Sequence, residues 1–310
     1  MNMREIFLGA VFLLVFTLPA ATPSPASDEP GEKKSKIDTC TAIDQRLSSV
    51  SLGDCVEGGL LESGAYSVRG HPLLVKEYPP LERRAPQSRV LVVGGTHGDE
   101  YSSISVTFKW MQILDEHHSG LFHWIFVPLL NPDGLFERPA TRTNARGVDI
   151  NRNKPSPLWR EVGYTRWQEM TDENPRYYPG PYPVSEPETE FLVHLIRSFR
   201  PDAVISLHSP LNLVDYDGPG NPPRSLGSLW LRRLGNFPGT LGNFAGKKMG
   251  IPVITVELAS SARMPSGGEI SSMWRDLVRW LINETPVEPG PGQLQALDQD
   301  MQLRKEFFGK

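Results

Sequence analysis

The chain has 310 residues, 39% of them hydrophobic, which is enough for one sizeable core. Its formal net charge is −4, and Lys and Arg are scattered rather than gathered into a stripe. Nucleic acid and an anionic membrane surface are therefore poor partners, and the 29 prolines and 28 glycines imply many loops.

Residues 1–26 read as an export signal. Arg4 precedes the apolar run Ile6–Leu18, short for a bilayer span, and small residues and prolines follow from Pro19 to Ser27. The mature protein is expected in the periplasm or outside the cell, with no stable membrane association. Residues 22–37, rich in Pro, Ser, Lys and Glu, read as a flexible leader. Cys40 and Cys55 are the only two cysteines, and an oxidising compartment favours a disulfide between them. They bound a short element that completes an N-terminal segment of residues 27–64.

Residues 65–284 are expected to form a single catalytic domain. Tyr66–Val75 reads as two short strands about a Gly70 turn, and Arg89–Val93 as a buried strand that ends in Gly94 and Gly95. Ser103–Glu116 has helical spacing, and Trp124–Leu130 is a second buried strand. A polar stretch rich in Pro and Gly runs from Asn131 to Pro183. Ser185, Pro187 and Glu188 then suggest a helix start, with Ser185 as the cap and Glu188 completing a capping box. That helix is expected to reach Phe199, with Phe191, Leu192, Leu195 and Ile196 inward. Ala203–Leu207 and Val253–Val256 are two more buried strands, Met273–Ile282 is a last amphipathic helix, and residues 285–310 read as a loose tail. Strands alternating with helices predict an α/β fold: a mixed, mostly parallel central sheet with helices on both faces.

In such sheets ligands bind beyond the carboxyl ends of the strands, where this sequence concentrates ionisable groups. His97 and Glu100 follow the strand that ends at Val93, His208 follows Leu207, and Glu257 follows Val256. Zinc accepts His nitrogen and Glu oxygen, and catalytic zinc sites use three protein ligands. His97, Glu100 and His208 are the candidate set, for one zinc ion per chain. Asp99 is more suited to tying the loop, or to orienting a ligand, than to binding metal.

Several motifs then carry a resemblance. Asn131-Pro132-Asp133-Gly134, Thr141–Asn153, Ser185–Thr189, Ser206-Leu207-His208-Ser209 and Thr255-Val256-Glu257-Leu258 resemble, in order, the signature of the zinc metallocarboxypeptidases. Phe237–Gly246 and Gly250–Val253 resemble the bacterial murein peptide amidase subgroup. The resemblance implies that Glu257 is the general base and then the acid, that Arg142 stabilises the oxyanion, and that Asn151 and Arg152 grip the substrate's free α-carboxylate. Arg138 and Arg146 compete with Arg142 by position, and Tyr216 is a possible substrate-capping tyrosine. The substrate it implies is a peptidoglycan stem peptide, cut at the γ-D-glutamyl–diaminopimelate bond. The alternatives are a general carboxypeptidase acting on peptide C-termini and a non-catalytic peptide or cell-wall binding module.

Overall fold

The continuous apolar run before Gly94 forms a strand at the middle of a seven-stranded sheet. The computed structural model describes residues 32–82 and 85–285, so the expected export signal and nearly all of the expected tail lie outside the described residues.

The chain enters through two short helices, α1 (Lys36–Arg46) and α2 (Leu52–Val56). Each opens on a capping box, Ser35 with Asp38 and Ser51 with Asp54. Residues 35–37, read from composition as part of a flexible leader, thus cap and begin α1. Cys40 and Cys55 are joined by a disulfide. Both are fully buried in the cluster that contains Val90 and Val92, so the N-terminal helices belong to the main core.

β1 (Leu61–Tyr66) and β2 (Pro72–Tyr78) pair antiparallel about the expected Gly70 turn. β3 (Ser88–Val93), α3 (Tyr101–His117) and β4 (Phe122–Val127) follow, and the polar stretch then contains α4 (Pro132–Phe136) and α5 (Thr165–Met170). α6 (Pro187–Phe199), β5 (Ala203–His208) and β6 (Leu213–Asp217) come next. After the small hairpin of β7 (Ser225–Leu226) and β8 (Leu229–Trp230), β9 (Val253–Glu257) and α7 (Gly267–Glu284) complete the fold.

The strand order is β1-β2-β4-β3-β5-β9-β6. β4, β3, β5 and β9 run parallel, while β1, β2 and the edge strand β6 add antiparallel pairs. Alternation across β3 sends Val90 and Val92 to one core with α3 and α7, and Leu91 and Val93 to another with α6. A parallel strand covered on both faces needs apolar residues at every position, which explains the unbroken run.

Two expected helix starts need correction. α6 has Glu186 at its cap, with no side-chain cap bond. Ser185 instead donates to Glu186 Oε1 (2.7 Å), and Glu188 accepts from Asn144 and from Val68 N–H. Pro187 does occupy the first turn. α7 begins at Gly267 rather than Met273, capped by Ser266 and Glu269.

Candidate metal centre and cleft

The β3–α3 connection carries His97 against the backbone of α4. A Cβ at position 98 would come 2.1 Å from the carbonyl carbon of Gly134, so only glycine lets the two segments meet there. Arg46 secures α4 from the far side, donating to the carbonyls of Leu135 (2.9 Å) and Glu137 (2.7 Å). Glu100 caps α3, where the helix dipole favours its negative charge. Parallel pairing of β5 with β9 sets His208 opposite Glu257.

His97, Glu100 and His208 converge, all buried, with one potential ligand atom from each within 4.8 Å of the others. His97 Nδ1 lies 2.7 Å from Glu100 Oε1 and 3.2 Å from His208 Nδ1, and His208 Nδ1 lies 3.0 Å from Glu100 Oε2. The outer nitrogen of each ring is engaged: His97 Nε2 by Asp149 Oδ1 (3.2 Å) and His208 Nε2 by Ser206 Oγ (3.0 Å). With those nitrogens protonated, both Nδ1 atoms turn lone pairs inward beside a carboxylate. Two facing lone pairs cannot bond to each other, whereas a cation between them satisfies all three groups. The donor set and the orienting carboxylate fit zinc.

The surrounding charges agree with a cation site. Burial opposes the charge of Glu100, yet His97 and His208 hold its carboxyl well below the ordinary range. Burial likewise opposes the charge of Asp149, and Arg142, Arg152 and His97 overcome it. Glu257 differs. Burial raises its carboxyl from the ordinary value, and nearby Glu100 adds to the rise.

A cleft of about 390 Å³ opens over this cluster. Arg142, Asn151, Arg152 and Glu257 all line it. Arg142 donates from Nε to Asp149 Oδ2 (2.9 Å), which sets another of its nitrogens 3.2 Å from His97 Nδ1. Asn151 accepts from Leu241 N–H (3.0 Å) through Oδ1, leaving its amide donors for the cleft. Arg152 is braced by its own NH1 on the Asn151 carbonyl (2.9 Å). Of the competing arginines, Arg146 lies 3.7 Å from Glu186 and Arg138 is exposed, and neither lines the cleft. Tyr216 is turned away, its hydroxyl on the Pro219 carbonyl and its ring against Trp280, so it does not cap this site. Tyr177, beside the Arg142 guanidinium, lines the cleft.

Sequence reasoning missed Asp149, Ser206, Asp215 and Asp217. Asp149 takes the orienting place considered for Asp99, which instead pairs with Arg176 (2.7 Å). Its signal lies within the Thr141–Asn153 motif, as the one acid between the two buried aliphatics Val148 and Ile150. Ser206 sits two residues before His208 on one strand, hence on the same face.

The zinc carboxypeptidase family profile matches residues 42–221. That match ends before β9, so Glu257 rests on register and cleft geometry. Murein peptide amidase A of Vibrio campbellii is 34% identical over 204 residues, covering 62% of this chain and 76% of the relative. The protein of that name from Escherichia coli K12 is 34% identical over 179 residues, 56% of this chain and 66% of its own length. The crystal structure of murein-tripeptide amidase from Escherichia coli O157 superposes with a TM-score of 0.50 at 28% identity, over 72% of this chain and 92% of that one. By these matches and by its metal-binding cluster, the chain belongs to the zinc carboxypeptidases, a family of hydrolases.

Proposed function

We propose that this protein is an exported zinc amidase that removes diaminopimelate from peptidoglycan stem peptides by hydrolysing the γ-D-glutamyl–diaminopimelate bond. The observation that carries the reading is one cleft lined by the metal cluster, Glu257, Arg142, Asn151 and Arg152. The likeness to murein peptide amidases supports the substrate class. The disulfide and the N-terminal apolar run support export.

In this reading Arg152 and the Asn151 amide receive the α-carboxylate of the departing residue, the arginine through a forked contact. His97, Glu100 and His208 would hold the zinc ion, which when bound would supply Lewis acidity toward the amide and an attacking water. Glu257 takes the proton of that water as it attacks the amide carbon, and returns it to the leaving amine. Arg142, kept charged and fixed by Asp149, stabilises the oxygen on which negative charge develops.

Mass spectrometry after incubation of the zinc-loaded protein with a murein tripeptide and an all-L peptide tests the reading. Free diaminopimelate from the tripeptide, with the all-L peptide intact, is the expected result. Trimming of the all-L peptide alone would make the protein a general carboxypeptidase. Zinc-loaded protein that cleaves neither peptide would favour a binding module.

A further inference from the structure

The short helix α4 lies behind two parts of the active site at once. Its Gly134 meets the metal-binding loop at Gly98, too closely for a side chain there. α4 also carries the segment around Arg142. Gly134 accepts from Thr141 N–H (2.9 Å), and Asn131, the cap of α4, donates from Nδ2 to the Arg142 carbonyl (3.2 Å). A shift of α4 therefore moves both the loop of His97 and the residue whose guanidinium adjoins that ring. The front of α4 is tied through Asp133, which accepts from Ser67 Oγ (2.7 Å) and Arg69 N–H (3.0 Å). At its rear Arg69 pairs with the Glu137 side chain, and Arg46 of α1 holds the backbone, bonding the carbonyls of Leu135 (2.9 Å) and Glu137 (2.7 Å).

α1 presents Arg46 from a face shared with Thr39, two helical turns earlier. Thr39 Oγ1 meets His71 Nδ1 (3.0 Å), and the His71 ring packs on Phe136 of α4 with centroids 4.7 Å apart. A guanidinium that reaches two carbonyls from two of its nitrogens fixes distance and angle together, which an ammonium cannot do. The nitrogen on Glu137 also lies 3.4 Å from the hydroxyl of Tyr101, the residue after Glu100. α1 is tied in turn to α2 by the Cys40–Cys55 bond, buried in the main core. α2 is anchored on α3 by Gln112, which donates to Asp54 Oδ1 (2.7 Å). Between the two short helices, Ser49 donates to Ser105 of α3 (2.7 Å). The disulfide thus couples Arg46 to the helix that follows Glu100.

We propose that Arg46 is a positioning residue for the metal site and for Arg142, and that the Cys40–Cys55 bond keeps it in register. In the oxidised chain Arg46 braces α4 from behind, and α4 holds the ligand loop and the Arg142 segment in place. In the reduced chain α1 loses its covalent tie to α2, Arg46 loses its fixed bearing on α4, and the site binds zinc less well. Closing the bond joins two sulfurs and releases two protons and two electrons. A disulfide-bearing oxidant takes the electrons, and its own bond opens to two thiols. On the export reading above, that oxidant belongs to the compartment beyond the cytoplasm, so the hydrolase reaches full strength only after export. The brace itself does not depend on that reading.

Zinc affinity, measured by competition with a chelator, reads the brace without turnover and whatever the substrate proves to be. Five proteins are compared well below their melting temperatures: wild type, Arg46→Ala, Arg46→Lys, Cys40→Ala/Cys55→Ala, and that cysteine pair combined with Arg46→Ala. Arg46→Ala is expected to weaken zinc binding about 10-fold, the low end for a residue that acts behind a ligand. On the murein tripeptide it should lower kcat more than it raises KM, because α4 carries neither Asn151 nor Arg152. Arg46→Lys, which can reach one carbonyl, should fall between. The cysteine pair should lose a similar amount, and the combined variant no more than the larger single loss, since both act through one contact. Should the cysteine pair fail to fold, wild type and Arg46→Ala treated with a thiol reductant supply the same comparison. No cleavage by wild type would count against the amidase reading and leave the zinc measurement to decide. Lower melting temperatures with unchanged zinc affinity in Arg46→Ala would make Arg46 a stability residue and overturn the proposal. Losses that add in the combined variant would overturn the link between the disulfide and Arg46.

Discussion

On one side of the 131–153 segment, Glu100 and Asp149 lie among His97, His208 and Arg142; on another, Glu186 and Glu188 accept from Asn144, and Asp133 is near enough to Glu188 for their charges to interact. All five carboxylates are almost wholly buried. In the first group the histidines and arginines overcome burial, and the carboxyls of Glu100 and Asp149 are held down. In the second, burial and the charge of Asp133 push Glu188 up to about 8. Asp133 is itself raised by burial, despite hydrogen bonds from Ser67 Oγ (2.7 Å) and Arg69 N–H (3.0 Å). Burial is common to both groups, so the neighbouring charges decide which way the carboxyls of Glu100, Asp149 and Glu188 shift. The first group can hold a cation. The second ties the β1–β2 turn, α4 and the start of α6 behind the loop that presents Arg142, Asn151 and Arg152.

The strongest way to break the contrast is to remove a ligand from the charged side. His208→Ala should lose both zinc and activity, because a histidine and a carboxylate alone make an incomplete catalytic site. Stoichiometric zinc in that variant, measured by atomic emission, would contradict the ligand set.

Glu257→Gln sharpens the comparison, since this acid lies at the charged site while burial raises its carboxyl. Glutamine keeps the shape and can hydrogen-bond a water, but it cannot take a proton. Turnover should fall by about 10²–10⁴-fold with zinc content near wild type. A variant that loses zinc, or keeps more than about a third of the activity, removes Glu257 from the role of base.

Asp149→Asn should act on the metal at one remove. Loss of its charge leaves His97 Nε2 and Arg142 Nε with a weaker acceptor, and zinc affinity should drop about 10–100-fold. Competition with a chelator measures it. An unchanged affinity would mean that the contact to His97 does not orient the ligand.

What could be read from the sequence follows the same physics. The central strands were visible because a strand covered on both faces is apolar throughout. The ligands were visible because three such strands end in ionisable residues. β6 was not visible: one of its faces looks into the cleft, so Asp215 and Asp217 stand where a strand signal expects apolar groups. Asp149 and Ser206 escaped because an orienting residue obeys no fixed spacing, and Asp149 is 52 positions from the ring it holds. The α6 cap was misread because buried demands outbid local ones. Glu188 serves Asn144 and Val68 rather than a capping box.

The smallest expected effect concerns the second group and shows in stability rather than catalysis. The Glu188 carboxyl titrates near 8 in the folded protein, against 4.5 for the ordinary side chain. The folded state therefore binds more protons between those values, so stability must fall as pH rises through that window and level off above it. The loss is on the order of a few kcal/mol. Glu188→Gln removes the titration. Its carbonyl can accept from Val68 N–H or from Asn144 but not from both, so the variant should start about 1 kcal/mol less stable near pH 5. As the wild type weakens by about 1.4 kcal/mol per pH unit in this window, the two stability curves should converge and cross at about pH 6. Denaturant titrations of both zinc-loaded proteins at intervals across this range provide the measurement. Parallel curves would show that Glu188 is already ionised in the fold, and the contrast between the two carboxylate groups would then lie in geometry alone.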